Sequence, residues 1–179
     1  MKSMQFDKAY FTRGLPKTGC ITEVWTGDDG TYQAGWWVGL DFAGNRTRFV
    51  SATIGVDVIT MDNATGLMWA ALGNRAGCNN GEKLALPEAI AYANGLTFAG
   101  YSDWRIPNIF ELVSIVNYGE DMPKIYIPFF PNTEVEEYWS STHYYDDVNS
   151  NYRVSFLTGF IDALQIGVPQ ELRCVRNGL

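Results

Sequence analysis

Hydrophobic and polar residues alternate in short runs along most of this chain, and a helical period replaces the alternation in only two places. Asp57-Val58-Ile59-Thr60 and Leu67-Met68-Trp69-Ala70 are predicted strands, joined through a turn at Asp62-Asn63-Ala64-Thr65-Gly66. Upstream, Gly27-Asp28-Asp29-Gly30 is a turn cluster followed by Thr31-Tyr32-Gln33 and the strand-like Trp36-Trp37-Val38. Gly44-Asn45 marks a second turn before Arg46 to Val50. Late in the chain, Tyr138-Trp139-Ser140-Ser141 has the aromatic and small-polar mix of a strand held on a core. Tyr152 to Phe156 alternates, Gly159 punctuates, and Phe160 to Leu164 resumes. Glu171 to Arg176 alternates as a closing strand, with Leu172, Cys174 and Val175 expected inward.

The first helical stretch covers about residues 86–96. Leu86, Ile90, Ala93 and Leu96 fall on one face, Pro87 suits the first turn and Gly95 lies near the end. The second covers about residues 109–117. Asn108 and Glu111 stand three apart, the spacing of a capping box in which each side chain meets a free backbone N–H. Ile109, Leu112, Val113 and Val116 then form the buried stripe, and Gly119 is the expected left-handed stop. Residues 123–131, rich in proline and aromatics, are an expected extended connector whose rings plug the core. These elements predict one α+β domain over residues 1–179. Strands and turns fill 15–75, the two helices sit mid-chain, and strands with a loop occupy 136–177.

That late loop breaks every period. Thr142 to Asn151 presents His143, Tyr144, Tyr145, Asp146, Asp147, Asn149 and Asn151 with almost no aliphatic content. Such a mix suits recognition: tyrosine gives large contact area with few rotors, while serine and asparagine adapt their hydrogen bonds. An ordinary solvated hairpin loop has the same letters.

Composition narrows the picture. The 179 residues are 46% hydrophobic, 18% charged and 15% aromatic with 18 glycines, which favours many strands and tight turns over a helical bundle. The net charge of −7 leaves no basic surface for a phosphate backbone, so nucleic acid is not an expected partner. No apolar run approaches the roughly 18 residues of a membrane span, so no membrane insertion is expected. The first residues lack the apolar segment of a secretory signal. Cys20, Cys78 and Cys174 are odd in number and lack paired spacing, which leaves no expected zinc site and favours reduced thiols. The glycosylation patterns at Asn45-Arg46-Thr47 and Asn63-Ala64-Thr65 carry little weight without a secretory route.

Catalytic chemistry finds few carriers. His143 is the single histidine and sits in the polar loop, where nothing in the sequence orients it as a base. Glu136 and Glu137 are adjacent and would face opposite sides of a strand. Asp28 and Asp29 lack the spaced acids of a calcium loop. No catalytic residue and no cofactor are therefore expected. Arg105, between Trp104 and Pro107, is expected to pair with an internal carboxylate and brace the fold. Trp69, Trp104 and Trp139 are the core tryptophans by their strand contexts.

A set of segments in order along the chain carries a family likeness. It comprises Leu15 to Gly19, Gly27 to Gly30, Thr65 to Trp69, Gly100-Tyr101-Ser102-Asp103-Trp104-Arg105-Ile106-Pro107-Asn108, Glu111-Leu112, Tyr138 to Thr142 and Arg173 to Arg176. Together they resemble the C-terminal domain of collagen-like bacterial adhesins (the Lcl C-terminal family), a branch of the C-type lectin fold. The resemblance implies an α+β fold with two helices flanking small, twisted antiparallel sheets, and a ligand face near the C-terminal strands. It implies a non-enzymatic receptor-recognition or adhesion domain that binds a protein or glycan on a cell surface, itself displayed on a virus particle or cell. Some members of the wider fold are variable proteins of diversity-generating retroelements, whose adenine-directed changes at AAY codons cannot encode Trp, Met, Gln, Lys or Glu. Residues 140–164 contain none of the five, although Val38 to Thr60 lacks them as well. The implied face comprises His143, Tyr144, Tyr145, Asp146, Asp147, Asn149, Asn151, Tyr152, Phe156, Leu157, Phe160, Asp162 and Leu164. A fixed-specificity adhesin is the alternative. An oxidase resembling the formylglycine-generating enzymes of this fold is a weaker one, since no motif surrounds Cys78 or Cys174. The calcium motifs of sugar-binding lectins are missing too, with Val168-Pro169-Gln170 nearest but lacking the acid.

Overall fold

The structure is a computed structural model that describes residues 15–32, 35 and 48–178. The expected strand at Trp36-Trp37-Val38, the turn at Gly44-Asn45 and the pattern at Asn45-Arg46-Thr47 lie outside the described residues. So does Gln33.

Two antiparallel sheets and a few short helices make up a small α+β domain. The first sheet is ordered β1-β2-β3-β7, from β1 (Phe49–Ile54), β2 (Asp57–Asp62), β3 (Leu67–Ala70) and β7 (Val175–Asn177). The second is ordered β4-β5-β6, from β4 (Glu137–His143), β5 (Ser150–Ser155) and β6 (Ile161–Gln165). The segment before β7 stitches them together. Trp139 donates its backbone N–H to Glu171 O at 3.0 Å, and Glu171 donates to Glu137 O at 3.1 Å. The β2–β3 turn falls at Asn63 to Gly66 as predicted. Asp62 holds it by accepting from Ala64 N and Thr65 Oγ1, each at 2.9 Å. Its carboxylate also takes a bidentate bond from fully buried Arg48 at 3.0 and 2.9 Å, so a buried charge pair anchors the turn.

The helices are α1 (Asp29–Tyr32), α2 (Leu86–Gly95) and α3 (Ile109–Ser114). α1 stands where a turn cluster was expected at Gly27 to Gly30, and it runs on through Thr31 and Tyr32. Asp28 caps it, accepting from Val24 N, Trp25 N and Thr31 N. The Trp25 and Val24 amides hold that carboxyl down to about 2. On α2 the inward residues are Leu86, Ala89 and Ala93, while Ile90 is 37% exposed, so small alanines rather than the expected isoleucine carry the buried face. The capping box of α3 forms as predicted, with Glu111 N donating to Asn108 Oδ1 at 2.9 Å and Asn108 N to Glu111 Oε2 at 2.8 Å. The helix is shorter than its hydrophobic stripe. It ends at Ser114, and Gly119 is not its left-handed stop. Gly119 serves close approach instead, since a Cβ there would sit 2.1 Å from Gly19 O.

Two apolar clusters form the core. One gathers Phe49, Trp69, Leu112, Ile115, Ile125 and Phe130 with Tyr138, Val154 and Phe156. The other gathers Leu86, Phe98, Trp104, Trp139, Leu172 and Cys174. The connector at 123–131 does plug the core through Ile125, Tyr126 and Phe130, but as a series of turns. The closing segment also departs from alternation. Glu171, Leu172, Arg173, Cys174 and Val175 are all buried, and only Val175–Asn177 is strand.

Glu171 is 3% exposed, and burial pushes its carboxyl up to about 7. The cations Lys83 and Arg173 oppose that rise, and the Glu134 and Glu136 carboxylates add to it. Because the folded value lies above the ordinary 4.5, the folded chain holds a proton that the unfolded chain has released. This stabilisation is full below about pH 4.5 and is lost as pH rises through 7. Urea midpoints taken across that window should fall for the wild-type relative to Glu171→Gln. Parallel curves for the two proteins would show that Glu171 titrates normally.

Candidate functional site

The second sheet is braced before it displays anything. Between Trp139 and His143 the β4–β5 register shifts, which turns Ser141 and Thr142 away from β5. Ser141 N donates to Pro107 O at 2.8 Å, and Thr142 Oγ1 accepts from Ile109 N at 2.9 Å. The strand thus satisfies an otherwise free N–H at the start of α3. Arg105 pairs bidentately with Glu111 at 2.7 Å in each arm, the internal carboxylate expected of it. Trp69, Trp104 and Trp139 are all buried, and Trp104 donates to Phe98 O at 2.9 Å. The motifs around Trp104 and Trp139 therefore touch each other and hold the frame.

Beyond His143 the chain leaves the sheet as a tight loop, 144–149. Tyr144 N donates to Ser150 O at 3.0 Å, and Asp147 accepts from Ser150 Oγ at 2.7 Å and Asn149 N at 2.9 Å. Those two donors lower the Asp147 carboxyl. Tyr144 stands 5.4 Å from Tyr145 and 5.4 Å from Tyr152, the second contact edge-on at 89°. Tyr145 is 79% exposed, and Val148 and Phe160 are nearly as open. Three tyrosines thus form one ring cluster at a hairpin tip, with Asp146 beside it accepting from Tyr144 Oη at 3.4 Å.

Of the expected face, His143, Tyr145, Asp146, Asn149, Leu157, Phe160 and Asp162 are exposed. Tyr144, Asp147, Tyr152 and Leu164 are half-buried. Two positions are corrected. Phe156 is fully buried, 4.9 Å edge-on from Tyr138, because it shares the face of Val154 that packs on the main core. Asn151 is buried too, donating from Nδ2 to Ser140 O at 3.3 Å, and braces the shifted register from inside. Asp162 is engaged as well, taking both arms of Arg153 at 2.6 and 2.9 Å. Two exposed apolar residues carry no signal in the hydrophobic pattern: Ile161 and, on α3, Phe110, which is 83% exposed. Phe110 separates two shallow grooves of about 390 and 280 Å³ bordered by Leu15, Pro16 and Ser114.

Among the described residues no group of three His, Cys, Asp or Glu could hold a metal ion. No helix there is long and apolar enough to cross a membrane. Cys78 and Cys174 do come together, with Cys174 N donating to Gly77 O at 2.9 Å, a pairing that sequence separation hid. Burial raises both thiols, which keeps them protonated at neutral pH.

No curated protein sequence matches the chain. The family model for the Lcl C-terminal domain matches residues 58–176, a span that holds the second sheet, α2, α3 and the tyrosine hairpin and, from the first sheet, all but β1 and the end residues of β2 and β7. The chain belongs to the Lcl C-terminal domain family.

Proposed function

We propose that this chain is a non-enzymatic binding domain, used for receptor recognition or adhesion, whose C-type lectin-like frame presents the tyrosine hairpin to a partner on a cell surface. The observation that carries this reading is the Tyr144–Tyr145–Tyr152 cluster, with the outermost ring 79% exposed on a loop anchored by a doubly braced sheet. A large aromatic surface on a rigid support loses little entropy on binding. The adhesin-like role follows the family. The partner is a protein or a glycan, and the domain is carried on the surface of a virus particle or cell. Its residues are diversified by a retroelement. A near-copy of the coding segment for residues 140–176, differing mainly at adenines and lying beside a reverse transcriptase gene, is the expected genomic sign.

One observation favours the fixed-specificity alternative. Asn151 and Phe156 lie inside the fold, where free variation would cost stability, so any diversified set must skip them. An alignment of sibling sequences in which these two vary as freely as Tyr145 would contradict the packing.

Tyr144→Ala and Tyr145→Ala should together abolish binding of the labelled chain to whichever glycan or peptide it selects from an array. Tyr145→Ala should shift stability by no more than about 0.5 kcal/mol, as exposed positions do, and half-buried Tyr144→Ala by somewhat more, since it also loses its ring contact with Tyr152. Tyr152→Ala should cost more, because its ring also packs on the main core. Unchanged binding in the double variant would remove the hairpin from the recognition face.

A further inference from the structure

The β4-β5-β6 sheet ends in an open edge. Ser155 N donates to Phe160 O at 2.9 Å and Ile166 N to Asn149 O at 2.8 Å, which fixes the alternation of the whole β5–β6 ladder. Asp162 and Leu164 exchange bonds with β5, while the N–H and C=O of Ile161 and Ala163 point the other way. Among the described residues those outward groups meet no partner. Ile161 is 48% exposed and Ala163 half-buried, so the edge is open to solvent. Neither lysine nor proline guards it, and the one charge on β6, Asp162, is drawn back onto Arg153 of β5.

Aromatic and acidic side chains flank the edge. Ala163 lies opposite Tyr152, and Ile161 opposite Val154. The small Ala163 leaves the Tyr152 ring, backed by Tyr144, as a wall beside the edge. Phe160, 72% exposed, stands at one end. At the other, Ser150 pairs with Gln165 and holds Asp147, next to exposed Asp146.

We infer that β6 is a strand-addition site: an extended segment of a partner protein hydrogen-bonds to Ile161 and Ala163, and its successive side chains rest against Tyr152 on one face of the sheet and Phe160 on the other. The proposal rests on the recognition reading above and names the partner class as polypeptide. Charge selects among occupants. A second copy would bring another net −7 and another Asp146–Asp147 pair to the same edge, whereas a neutral-to-basic strand meets a complementary field. Main-chain bonds supply affinity that does not depend on partner sequence, and the tyrosines supply selectivity.

The test uses the full chain and a displayed library of random twelve-residue peptides. Enrichment of alternating apolar peptides flanked by Lys or Arg is expected. N-methylation of alternate peptide amides should weaken binding at least tenfold, with the opposite alternation tolerated. Ala163→Pro should weaken it similarly. That substitution deletes an N–H the ladder does not use, and proline is accepted where an edge N–H faces solvent. Hydrogen exchange should slow at Ile161 and Ala163 when peptide is added. If Ala163→Pro fails to fold, the N-methyl series and the exchange data decide alone. Peptides that depend on Tyr144 and Tyr145 but ignore both N-methyl patterns would overturn strand addition and leave the recognition face standing. So would tyrosine-dependent binding to a glycan array with no peptide enriched. Binding of neither class overturns both.

Discussion

Trp139→Ala is expected to lower the unfolding free energy by about 3–5 kcal/mol, the cost of a large buried side chain left as a cavity. Its ring is fully buried among Leu86, Trp104 and Leu172, and its Nε1 donates to Leu84 O at 3.0 Å. Truncation therefore strands a buried carbonyl as well as opening space, adding about 1 kcal/mol or more. Against a typical total of about 5–15 kcal/mol, that leaves a protein near its folding threshold. The position also couples frame to face. Trp139 joins β4 to the segment before β7, and four residues on the strand reaches His143 and the tyrosine loop. Trp139→Phe should recover most of the loss, since it restores ring volume and forfeits only the hydrogen bond. Urea unfolding with an unchanged slope measures both variants. A loss below about 1 kcal/mol for alanine would mean that water or neighbours refill the site.

The tryptophans could be read from the letters because each sits among residues with a strand-like sequence pattern, where an indole is buried far more often than displayed, although Trp104 itself lies outside any strand. Arg105 and the α3 cap could be read because a fixed local spacing carries them: Asn108, Glu111 and Arg105 lie within seven residues. What period two cannot reveal is which parity of a strand is wet. Tyr152, Val154 and Phe156 share one face of β5. That face packs on the main core, so Phe156 lies under the sheet and only Tyr152, near the hairpin, emerges. Asn151 was hidden by a different cause. The shifted register of β4 leaves Ser140 O facing it, and a two-residue slip leaves no mark in composition. The open edge of β6 was hidden as well, because edges are set by strand order, and strand order is long-range. The contacts of Cys174 with the Gly77-Cys78 segment and of Arg173 with the end of β3 span about a hundred residues, where sequence distance says nothing.

Arg173 is the plainest case, and it carries the second large effect. A charged residue in an alternating run is ordinarily read as solvated, yet Arg173 is 0% exposed. Its Nη1 donates to Ala70 O and Ala71 O at 2.6 and 2.7 Å, and its Nη2 to Thr133 Oγ1 at 2.7 Å. The guanidinium also lies 5.3 Å from the Phe130 ring centroid and 6.0 Å from that of Tyr138. It thus closes the end of β3, where the ladder to β7 stops and carbonyls would otherwise be buried without donors. Arg173→Met keeps the volume and deletes every donor. It should cost at least about 3 kcal/mol, since three buried acceptors lose their partners together. Arg173→Lys should rescue little, because one ammonium cannot copy a planar fork that spans two carbonyls and a hydroxyl. A second readout separates this from mere loss of packing. Arg173 opposes the rise of the Glu171 carboxyl, so its removal should move the pH window over which stability is lost upward from about 7. Arg173→Met that unfolds at the wild-type urea midpoint would show that backbone relaxation or water supplies the missing donors, and destabilisation without a moved window would show that the buried charge does not reach Glu171.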